Sequence, residues 1–287
     1  MDKNIMHAVV DIRSTHACVS VVIPCYRCSE TIGRALASVA AQTLLPKEVM
    51  LIEDASPDDG LTLQALNEQA AKYADNFEVK VIALNKNQGA ANARNVGWNS
   101  ASQPYIALLD ADDAWHPQKI EIQYKFMQEN PEIVLSGHAP KIVTDDSQPD
   151  WKLGYFDFKN ISKNNLLISN QFVTPSVMMK KDIAFRFDST KRYMEDYLLW
   201  LQIAFSDYSV AKLSPALVAI YKPMFGASGL SSHLWAMEKA ELDNYWLLYK
   251  NKNIGFILVA MLSVYSLAKY LRRLIIVSLR RVAFVKH

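Results

Sequence analysis

The first half of the chain alternates short apolar runs with segments in which apolar residues recur at every third or fourth position. The runs are rich in β-branched and other aliphatic residues, which is typical of buried strands. They predict four strands, over residues 19–23, 48–52, 78–84 and 104–109. The segments between and after them predict helices over residues 31–42 and 61–74, a glycine-containing turn and helix within 87–101, and a helix over 118–130 that follows Pro117.

This alternation of strand and helix predicts the fold class. Strand–helix–strand units of this length need crossover connections, and such crossovers are right-handed and place successive strands parallel. We therefore expect an α/β fold with a Rossmann-like, mostly parallel sheet and helices on both faces. In sheets of this kind ligands bind beyond the carboxyl ends of the strands.

The second half of the chain has a less regular pattern. It predicts a strand within residues 173–181, a helix over 195–207, short strands over 209–213 and 216–221, and a helix over 234–250. A long apolar and basic stretch then closes the chain. We expect a helical extension at this end.

Polar residues follow each predicted strand of the first half. They form four short groups, at residues 24–26, 53–56, 85–87 and 110–113. Because the carboxyl ends of parallel strands meet at one edge of a sheet, we expect the four groups to line a single rim. In the last group, Asp110, Asp112 and Asp113 crowd three carboxylates into four positions. Like charges this close repel one another, which indicates that a positively charged partner binds them.

The chemistry of that partner follows from what the sequence lacks. The two common glycine-rich phosphate cradles are missing: there is no G-x-x-x-x-G-K-[ST] segment, and no G-x-G-x-x-G segment follows a strand. Phosphates that meet an acidic rim need a bridging cation. Mg²⁺ or Mn²⁺ binds one or two carboxylates while substrate phosphates and water complete its shell. We therefore expect the aspartates to bind Mg²⁺ or Mn²⁺ together with a diphosphate.

Four segments of the sequence together resemble a known family. In order they are VSVVIPCYRCSETIGRALASVAAQ, LIEDASPDDG, NQGAANARNVGWNSA and YIALLDADDAW, and MEDYLLWL follows later. Over about residues 18–125 they resemble the family 2 glycosyltransferases of the GT-A fold. The resemblance implies an inverting, metal-dependent enzyme that moves one sugar from a nucleoside-diphosphate sugar, a UDP-sugar, to a saccharide or lipid-linked acceptor. It also implies a role in bacterial envelope polysaccharide biosynthesis, of the lipopolysaccharide kind.

The resemblance implies roles for individual residues that bind the nucleotide. Pro24 and Tyr26 match the loop that frames the base, and Asp54 matches the acid that hydrogen-bonds the base. Arg94 matches an arginine that faces the diphosphate. Glu53 occupies a position where the family more often has Asp, a small departure that we expect the site to tolerate.

The resemblance also assigns the metal ligands and the catalytic groups. Asp110 and Asp112 match the D-x-D pair that contacts ribose and metal, and Asp113 lies beside them. Glu195 and Asp196 match the E-D motif, in which the aspartate is the general base. The base takes the proton of the acceptor hydroxyl, which attacks the sugar opposite the leaving nucleoside diphosphate.

Two departures from the family pattern bear on activity. Gln202 lies where related sequences often carry Arg, and no Q-x-x-R-W segment follows. The second departure argues against a processive synthase, whereas the first keeps open a catalytically silent relative that binds sugar nucleotides. A phosphatase of the haloacid-dehalogenase type, with Asp110 as nucleophile, is the other alternative. Taken singly, the aspartates also suit a helix-capping turn, and Glu195 with Asp196 also suits a helix dipole.

The end of the chain differs in charge from the rest. Residues 1–249 carry 23 basic and 29 acidic side chains, whereas residues 250–287 carry eight basic side chains and no acidic one. The uncharged stretch 254–268 would span about 22 Å as a helix, which is short of the roughly 30 Å hydrocarbon core of a bilayer. From Lys269 onward, helical spacing separates an apolar face from a basic face. The apolar face holds Leu271, Leu274, Ile275, Val282 and Val285, and the basic face holds Lys269, Arg272, Arg273 and Arg280.

This pattern predicts a helix that lies in the headgroup region of an anionic leaflet. The alternative is a helix packed on the body with its arginines in solvent. We therefore divide the chain into a GT-A domain over 1–230, with nucleotide-binding and acceptor halves over 18–125 and 126–230, and a basic membrane-associating extension over 231–287. Because the first 17 residues are mixed and polar, we expect no secretory signal there. We expect a cytoplasmic protein, peripheral on the inner face of the cell membrane, with no nucleic acid among its partners.

Three cysteines, Cys18, Cys25 and Cys28, lie close together in the sequence. The last two have the C-x-x-C spacing of redox sites, but a zinc site would need a second pair that the sequence lacks. We interpret Cys25 and Cys28 as incidental loop cysteines of a protein in a reducing compartment, with redox or metal chemistry as the alternative.

Overall fold

The computed structural model describes residues 15–143, 147, 149–221 and 233–284, with side chains up to residue 277. The strands of this part of the chain are β1 (His16–Cys25), β2 (Leu45–Glu53), β3 (Glu78–Ala83), β4 (Tyr105–Leu108), β5 (Ala114–Trp115), β6 (Ile133–Ile142), β7 (Phe158–Asn160), β8 (Met178–Lys180) and β9 (Ser209–Ile220). The helices are α1 (Ile32–Ala40), α2 (Leu61–Lys72), α3 (Ala90–Ser100), α4 (Lys119–Glu129), α5 (Lys163–Ile168), α6 (Glu195–Phe205), α7 (Leu234–Lys250) and α8 (Phe256–Phe284). A 3₁₀ turn at Thr174–Ser176 precedes β8.

The strands form one sheet in the order β3-β2-β1-β4-β8-β6-β9-β5, and β7 pairs with β9 outside this path. Among the first four strands, β1 runs parallel to β2 and to β4, and β2 runs parallel to β3. β8 runs antiparallel to β4 and to β6, and β6 and β9 are parallel. The predicted α/β class is confirmed, and the first half of the chain builds the four-stranded parallel part of the sheet, β3-β2-β1-β4.

Helices cover both faces of the sheet because the strands are apolar on both sides. Val22 and Met50 belong to the core on one face, where Trp98 of α3 packs. Val21 belongs to the core on the other face, together with Leu36 of α1. Strands buried on both faces need continuous apolar runs. This requirement explains why β1, β2 and β4 are easy to recognise in the sequence.

Strand pairing brings the polar groups of the rim together. Cys25 at the end of β1 lies opposite Glu53 at the end of β2, and Glu53 lies opposite Ala83 at the end of β3. β4 is in register with β1 through Leu108, which lies opposite Val22. The segments that follow these four strands therefore share one edge of the sheet, as predicted.

α3 lies so close to the sheet that one of its positions has no room for a side chain. A Cβ atom at Gly97 would lie 2.5 Å from Cγ1 of Val22 and 3.1 Å from Cγ1 of Ile52. Glycine permits this approach because it has no Cβ atom. The close contact fixes α3 against the sheet, and with it Arg94, which lies three residues before Gly97 in the same helix.

Three strands of the second half differ from the sequence prediction, and one of them, the short β7, has no predicted counterpart. β6 also has no predicted counterpart, because Gly137 and Pro140 interrupt its apolar pattern. β9 is one continuous strand where the sequence predicts two, because Pro215 breaks the pattern in its middle. The register between β6 and β9 is irregular near this point, which accommodates the proline.

The prediction of loop cysteines is wrong for Cys25, which is the last residue of β1. Cys25 and Cys28 are both buried, and both are free thiols. Burial raises the pKa of the Cys25 thiol well above its ordinary value, and the neighbouring Cys28 adds to this effect. Because the thiolate is the reactive form, a buried thiol with a raised pKa suits packing better than redox chemistry.

α7 and α8 pack against each other and against the body of the protein. Tyr245 of α7 is fully buried, and its hydroxyl donates to Glu241 at 2.8 Å. Lys269 of α8 forms an ion pair with the same carboxylate at 2.7 Å. Lys269 also donates to the backbone carbonyl of Ile168 at the end of α5. No helix in the described part of the chain is both long enough and apolar enough to cross a bilayer.

Candidate active site

Arg94 joins the two halves of the chain at the rim. Its guanidinium forms an ion pair with Asp110 (Nη2 to Oδ1, 2.9 Å) and another with Glu195 (Nη1 to Oε1, 3.1 Å). Asp110 follows β4, whereas Glu195 begins α6. The centre of the Phe187 ring lies 5.5 Å from the guanidinium carbon. The buried Arg94 therefore brings two of the predicted groups, the D-x-D pair and the E-D motif, to one place.

The electrostatics of this cluster shift several protonation equilibria. Burial opposes the charge of Arg94, but Asp110 and Glu195 outweigh it and raise the pKa of the guanidinium. Burial, assisted by the charge of Asp196, raises the pKa of Glu195 to about 7 against the effect of Arg94. Loss of solvation also raises the pKa of Asp196. Carboxyl groups with raised pKa values are suited to proton transfer near neutral pH.

Two donors orient the carboxylate of Asp196. The hydroxyl of Thr174 donates to Oδ2 at 3.0 Å, and the backbone N–H of Tyr197 donates to Oδ1 at 2.7 Å. Thr174 lies in the 3₁₀ turn before β8, so two separate segments hold the side chain. Each carboxylate oxygen has two lone pairs, so one on each oxygen stays open to receive a proton.

The turn after β4 carries the three predicted metal ligands. The N–H of Asp113 donates to the carbonyl of Asp110 at 3.1 Å, which closes the turn. Arg34 of α1 donates to the carbonyl of Asp112 at 2.7 Å and thereby fixes the turn to a helix. Asp110 and Asp112 are partly exposed, whereas Asp113 is buried. Asp113 is thus the least accessible of the three.

This donor set fits Mg²⁺ or Mn²⁺. Two partly exposed carboxylates on one turn, Asp110 and Asp112, match the one or two protein ligands that such a cation takes when phosphates and water supply the rest. Among the described residues, no group of three Asp, Glu, His or Cys side chains is arranged to hold a metal ion. A pair of carboxylates on one turn is the kind of protein contribution that a cation needs when it binds together with a diphosphate.

Asp54 organises the loop that leads into α3. Its Oδ1 accepts the N–H of Gln88 at 2.8 Å, and its Oδ2 accepts the N–H of Gly89 at 2.8 Å and the side-chain amide of Asn87 at 3.0 Å. Asp54 is only 3% exposed. Three donors on two oxygens leave one lone pair for a further partner. The contact of Asp54 with a nucleotide base stays a prediction. The structure shows a second role, in which Asp54 holds the loop before α3, and the sequence does not reveal this role.

The neighbouring loops carry the other predicted nucleotide-binding residues. The carboxylate of Glu53 accepts two backbone N–H groups of the turn that follows it, one of them from Ser56 at 2.6 Å. The hydroxyl oxygen of Ser56 in turn accepts the N–H of Arg27 at 2.9 Å. Tyr26 is exposed beside this turn, and Pro24 lies just before the end of β1. An exposed aromatic ring at the rim is available to stack on a base.

Thr174, Arg34 and Phe187 belong to the site but do not follow from the sequence pattern. Thr174 meets Asp196 only because the 3₁₀ turn packs beside the start of α6. Arg34 has the spacing of an ordinary surface residue of α1, and Phe187 lies outside the regular elements. No local signal in the sequence distinguishes these three residues.

A comparison with known protein families identifies the family to which the chain belongs. The family described as Glycosyl transferase family 2 matches residues 20–193. The chain belongs to glycosyltransferase family 2. The match covers the whole rim, from β1 to the aspartate turn, and ends two residues before Glu195. The chain is therefore a glycosyltransferase, and the phosphatase alternative no longer applies.

Two relatives match this family 2 glycosyltransferase over most of their length. The amylovoran biosynthesis glycosyltransferase AmsE of Erwinia amylovora is 29% identical over 232 residues, which cover 79% of this chain and 84% of AmsE. The UDP-Glc:alpha-D-GlcNAc-diphosphoundecaprenol beta-1,3-glucosyltransferase WfgD of Escherichia coli is 27% identical over 226 residues, which cover 78% of this chain and 84% of WfgD.

Two solved structures share the fold of this family 2 glycosyltransferase. TarS 1-349 of S. aureus in complex with UDP-GlcNAc aligns with a TM-score of 0.63 at 20% identity, over 89% of this chain and 72% of TarS 1-349. The mannosyltransferase PcManGT from Pyrobaculum calidifontis in complex with GDP-Man and Mn²⁺ aligns with a TM-score of 0.63 at 15% identity, over 88% of this chain and 74% of PcManGT. These similarities confirm the expected GT-A fold.

Proposed function

We propose that the enzyme transfers a single sugar from a UDP-sugar to a saccharide or lipid-linked acceptor in bacterial envelope polysaccharide biosynthesis, with inversion at the anomeric carbon. The observation that carries this proposal is the double ion pair of Arg94. It connects Asp110, on the donor side of the rim, with Glu195, which adjoins the proposed base Asp196. A donor bound at the rim therefore lies next to the group that activates the acceptor.

The residues of the site divide the chemistry between them. Asp196 takes the proton of the acceptor hydroxyl, because a protonated hydroxyl is a poor nucleophile. Thr174 holds this carboxylate in place. Arg94 supplies a fixed positive charge beside the donor diphosphate. Asp110 and Asp112 would hold Mg²⁺ or Mn²⁺, which when bound neutralises the charge that grows on the leaving diphosphate.

The relatives support the choice of substrates and metal. The name of WfgD specifies UDP-Glc as donor and a GlcNAc-diphosphoundecaprenol as acceptor. TarS is solved with UDP-GlcNAc, and PcManGT is solved with GDP-Man and Mn²⁺. AmsE acts in amylovoran biosynthesis. For this chain, these names favour a UDP-sugar, a divalent metal and a diphosphate-linked lipid acceptor as the first substrates to test.

We also propose that α8 rests on the inner surface of the cell membrane, in an orientation that corrects the prediction. Lys269 does not face outward with the other basic residues but pairs with Glu241 on α7. Arg273 is half-buried, and Arg272 is exposed. The side chains of Arg280 and Val282 lie outside the described residues, as does the whole of Val285.

The surface that α8 presents to solvent is mainly apolar. Exposed apolar side chains recur every three or four residues along one side, apart from one wider step, at Ile257, Met261, Val264, Leu271 and Ile275. Exposed aromatic rings lie at the start of α8 and the end of α7, at Phe256, Tyr249 and Trp246. An apolar helix face with aromatic neighbours and no acidic residue after Asp243 suits the interface of an anionic leaflet.

A donor screen tests the catalytic proposal. The enzyme is incubated with UDP- and GDP-sugars, with Mg²⁺ or Mn²⁺, and with acceptors that include a GlcNAc-diphosphate lipid. We expect nucleoside diphosphate release from a UDP-sugar and a product whose anomeric configuration, read by NMR, is opposite to that of the donor. Retained configuration would overturn the inverting mechanism. Donor binding without turnover on any acceptor would identify the silent relative that Gln202 keeps open.

A further inference from the structure

The backbone just before the catalytic carboxylates adopts an unusual conformation. Met194 has φ 55° and ψ 23°, in the left-handed region, and Glu195 and Asp196 follow it as the first residues of α6. A residue with a Cβ atom rarely adopts this conformation, because the side chain crowds the following carbonyl. Something must therefore stabilise Met194 in this state.

A side chain of α7 contacts Met194. The amide nitrogen of Asn244 donates to the carbonyl oxygen of Met194 at 3.0 Å, and Asn244 is fully buried. The N–H of Leu198 donates to the same oxygen, also at 3.0 Å. α6 has no side-chain cap at its start. Asn244 is thus the side chain that anchors the entry to α6 from outside the helix.

The position of Asn244 is itself fixed by its neighbours on α7. Tyr245, the next residue, is buried and bonded to Glu241, which also pairs with Lys269 of α8. α7 lies beyond residue 193, where the family match ends. The contact therefore comes from a part of this chain that the family motifs do not describe.

The backbone conformation of Met194 determines the direction of two side chains of the site. Glu195 reaches back to Arg94, and Asp196 reaches the hydroxyl of Thr174. A change of φ and ψ at Met194 would rotate both side chains relative to the rim. Displacement of a reacting group by about 1 Å can lower a rate by up to about 100-fold.

We propose that Asn244 is a positioning residue for the general base: its bond to Met194 holds the left-handed turn that directs Glu195 and Asp196 into the site. This inference rests on the proposed role of Asp196. It assigns a catalytic consequence to α7, a helix that lies beyond the residues matched by the family.

The test compares Asn244→Ala with the double variant Asn244→Ala, Met194→Gly, and with Met194→Gly alone. Glycine adopts positive φ without a side-chain penalty, so it removes the need for the anchoring bond. Turnover of the best UDP-sugar from the donor screen is measured on protein shown to be folded by circular dichroism. We expect Asn244→Ala to lower kcat about tenfold at unchanged donor KM, and the added glycine to restore most of the loss.

A matched control and a parallel variant separate the possible failures. Asn130 also donates its amide to a backbone carbonyl, that of Phe126 at 2.8 Å, but lies at the end of α4, away from the site. Asn130→Ala should leave kcat unchanged. If Asp196→Asn keeps normal turnover, the base is misassigned. If Asp196→Asn is inactive while Asn244→Ala is fully active, only the inference about Asn244 fails.

Two further results would overturn the proposal. One is a loss of kcat in Asn244→Ala that glycine at position 194 does not restore. The other is that no variant of Asn244 folds. Should Asn244→Ala not fold, Asn244→Leu, which has the same branched heavy-atom shape without the donor, replaces it. If neither variant folds, even with Met194→Gly, then Asn244 serves the fold and not the base.

Discussion

At the scale of single residues, the site contains more negative than positive charge. Arg94 pairs with Asp110 and Glu195, and Asp196 and Asp112 lie close by in sequence to these partners. The described residues of the site include two guanidinium groups, those of Arg94 and Arg34, and the carboxylates outnumber them. A cluster with surplus negative charge attracts a divalent cation, and it also holds protons more tightly than isolated carboxyl groups do.

The metal prediction concerns Asp112. We expect Asp112→Ala to remove metal-dependent binding of UDP, because the carboxylate links the cation to the diphosphate, an interaction worth several kcal/mol. Calorimetric titration of UDP with Mn²⁺, and again with excess chelator, measures this. Asp75→Ala, an exposed acid near the opposite edge of the sheet, is the control and should bind normally. Equal affinity of the wild-type enzyme with and without chelator would contradict the prediction.

The base prediction concerns Asp196. Asp196→Asn keeps the shape of the side chain but cannot accept a proton, so we expect turnover to fall by about 10²- to 10⁴-fold. Affinity for UDP should change little, because the base faces the acceptor. Steady-state kinetics and the same calorimetric titration separate the two effects. Near-normal turnover would transfer the role to another group, with Glu195 the first to examine.

The pH prediction concerns Glu195. Burial and the charge of Asp196 raise the pKa of this carboxyl group to about 7. Between the ordinary value near 4.5 and this raised value the folded enzyme binds more protons than the unfolded chain, so the free energy of unfolding falls as pH rises. The variant Glu195→Gln has no titratable carboxyl group at this position, so it does not bind the additional proton. We expect urea unfolding midpoints to decrease more from pH 5 to pH 8 in the wild type than in Glu195→Gln. Parallel decreases would show that Glu195 does not titrate in this window.

At the scale of elements, the strands and helices whose apolar residues follow one clear pattern could be predicted from the sequence. β1, β2 and β4 are apolar on both faces, and α1 has an apolar stripe, so sequence alone locates them. β6, β9 and α5 were harder to predict, because tertiary contacts rather than a local sequence pattern determine their structure. Pro215 within β9 and Gly137 within β6 are signals of a break in isolated sequence, yet neighbouring strands accommodate both.

The candidate site shows the same division. Residues that follow strand ends, such as Asp110 and Asp54, could be found because the topology of a parallel sheet places them at one edge. The resemblance to a family added Arg94 and Asp196. Thr174 and Asn244 could not be found, because their roles depend on packing between segments that are distant in sequence.

The membrane prediction belongs to α8. Met261→Glu with Val264→Glu adds two negative charges to its exposed apolar side, so we expect sedimentation with anionic vesicles to weaken by about tenfold or more, while turnover is kept. Leu61→Glu with Asn67→Glu adds the same charge to exposed positions of α2 and is the control. If the wild-type protein does not bind such vesicles at low salt, α8 is a packing element only. Truncation before α8 is a poorer test, because it removes Lys269 from the buried Glu241.

At the scale of the whole molecule, the site is assembled from three regions of the chain. The parallel strands supply the rim, the start of α6 supplies the proposed base, and α7 anchors that start through Asn244. α8 pairs with α7 through Lys269. A surface proposed to meet the membrane is therefore two contacts away from the carboxylate proposed to activate the acceptor.

The loop before α3 has a consequence for how the enzyme handles a nucleotide. In many nucleotide-binding folds the amide groups at a helix N-terminus after a strand receive a phosphate. Here the N–H groups of Gln88 and Gly89 already bind an internal anion, the carboxylate of Asp54. The amino end of α3 is thus neutralised from within and offers a diphosphate little attraction. We therefore predict that negative charge on the donor is met mainly by the cation proposed at Asp110 and Asp112, so that donor binding follows the metal supply of the cell.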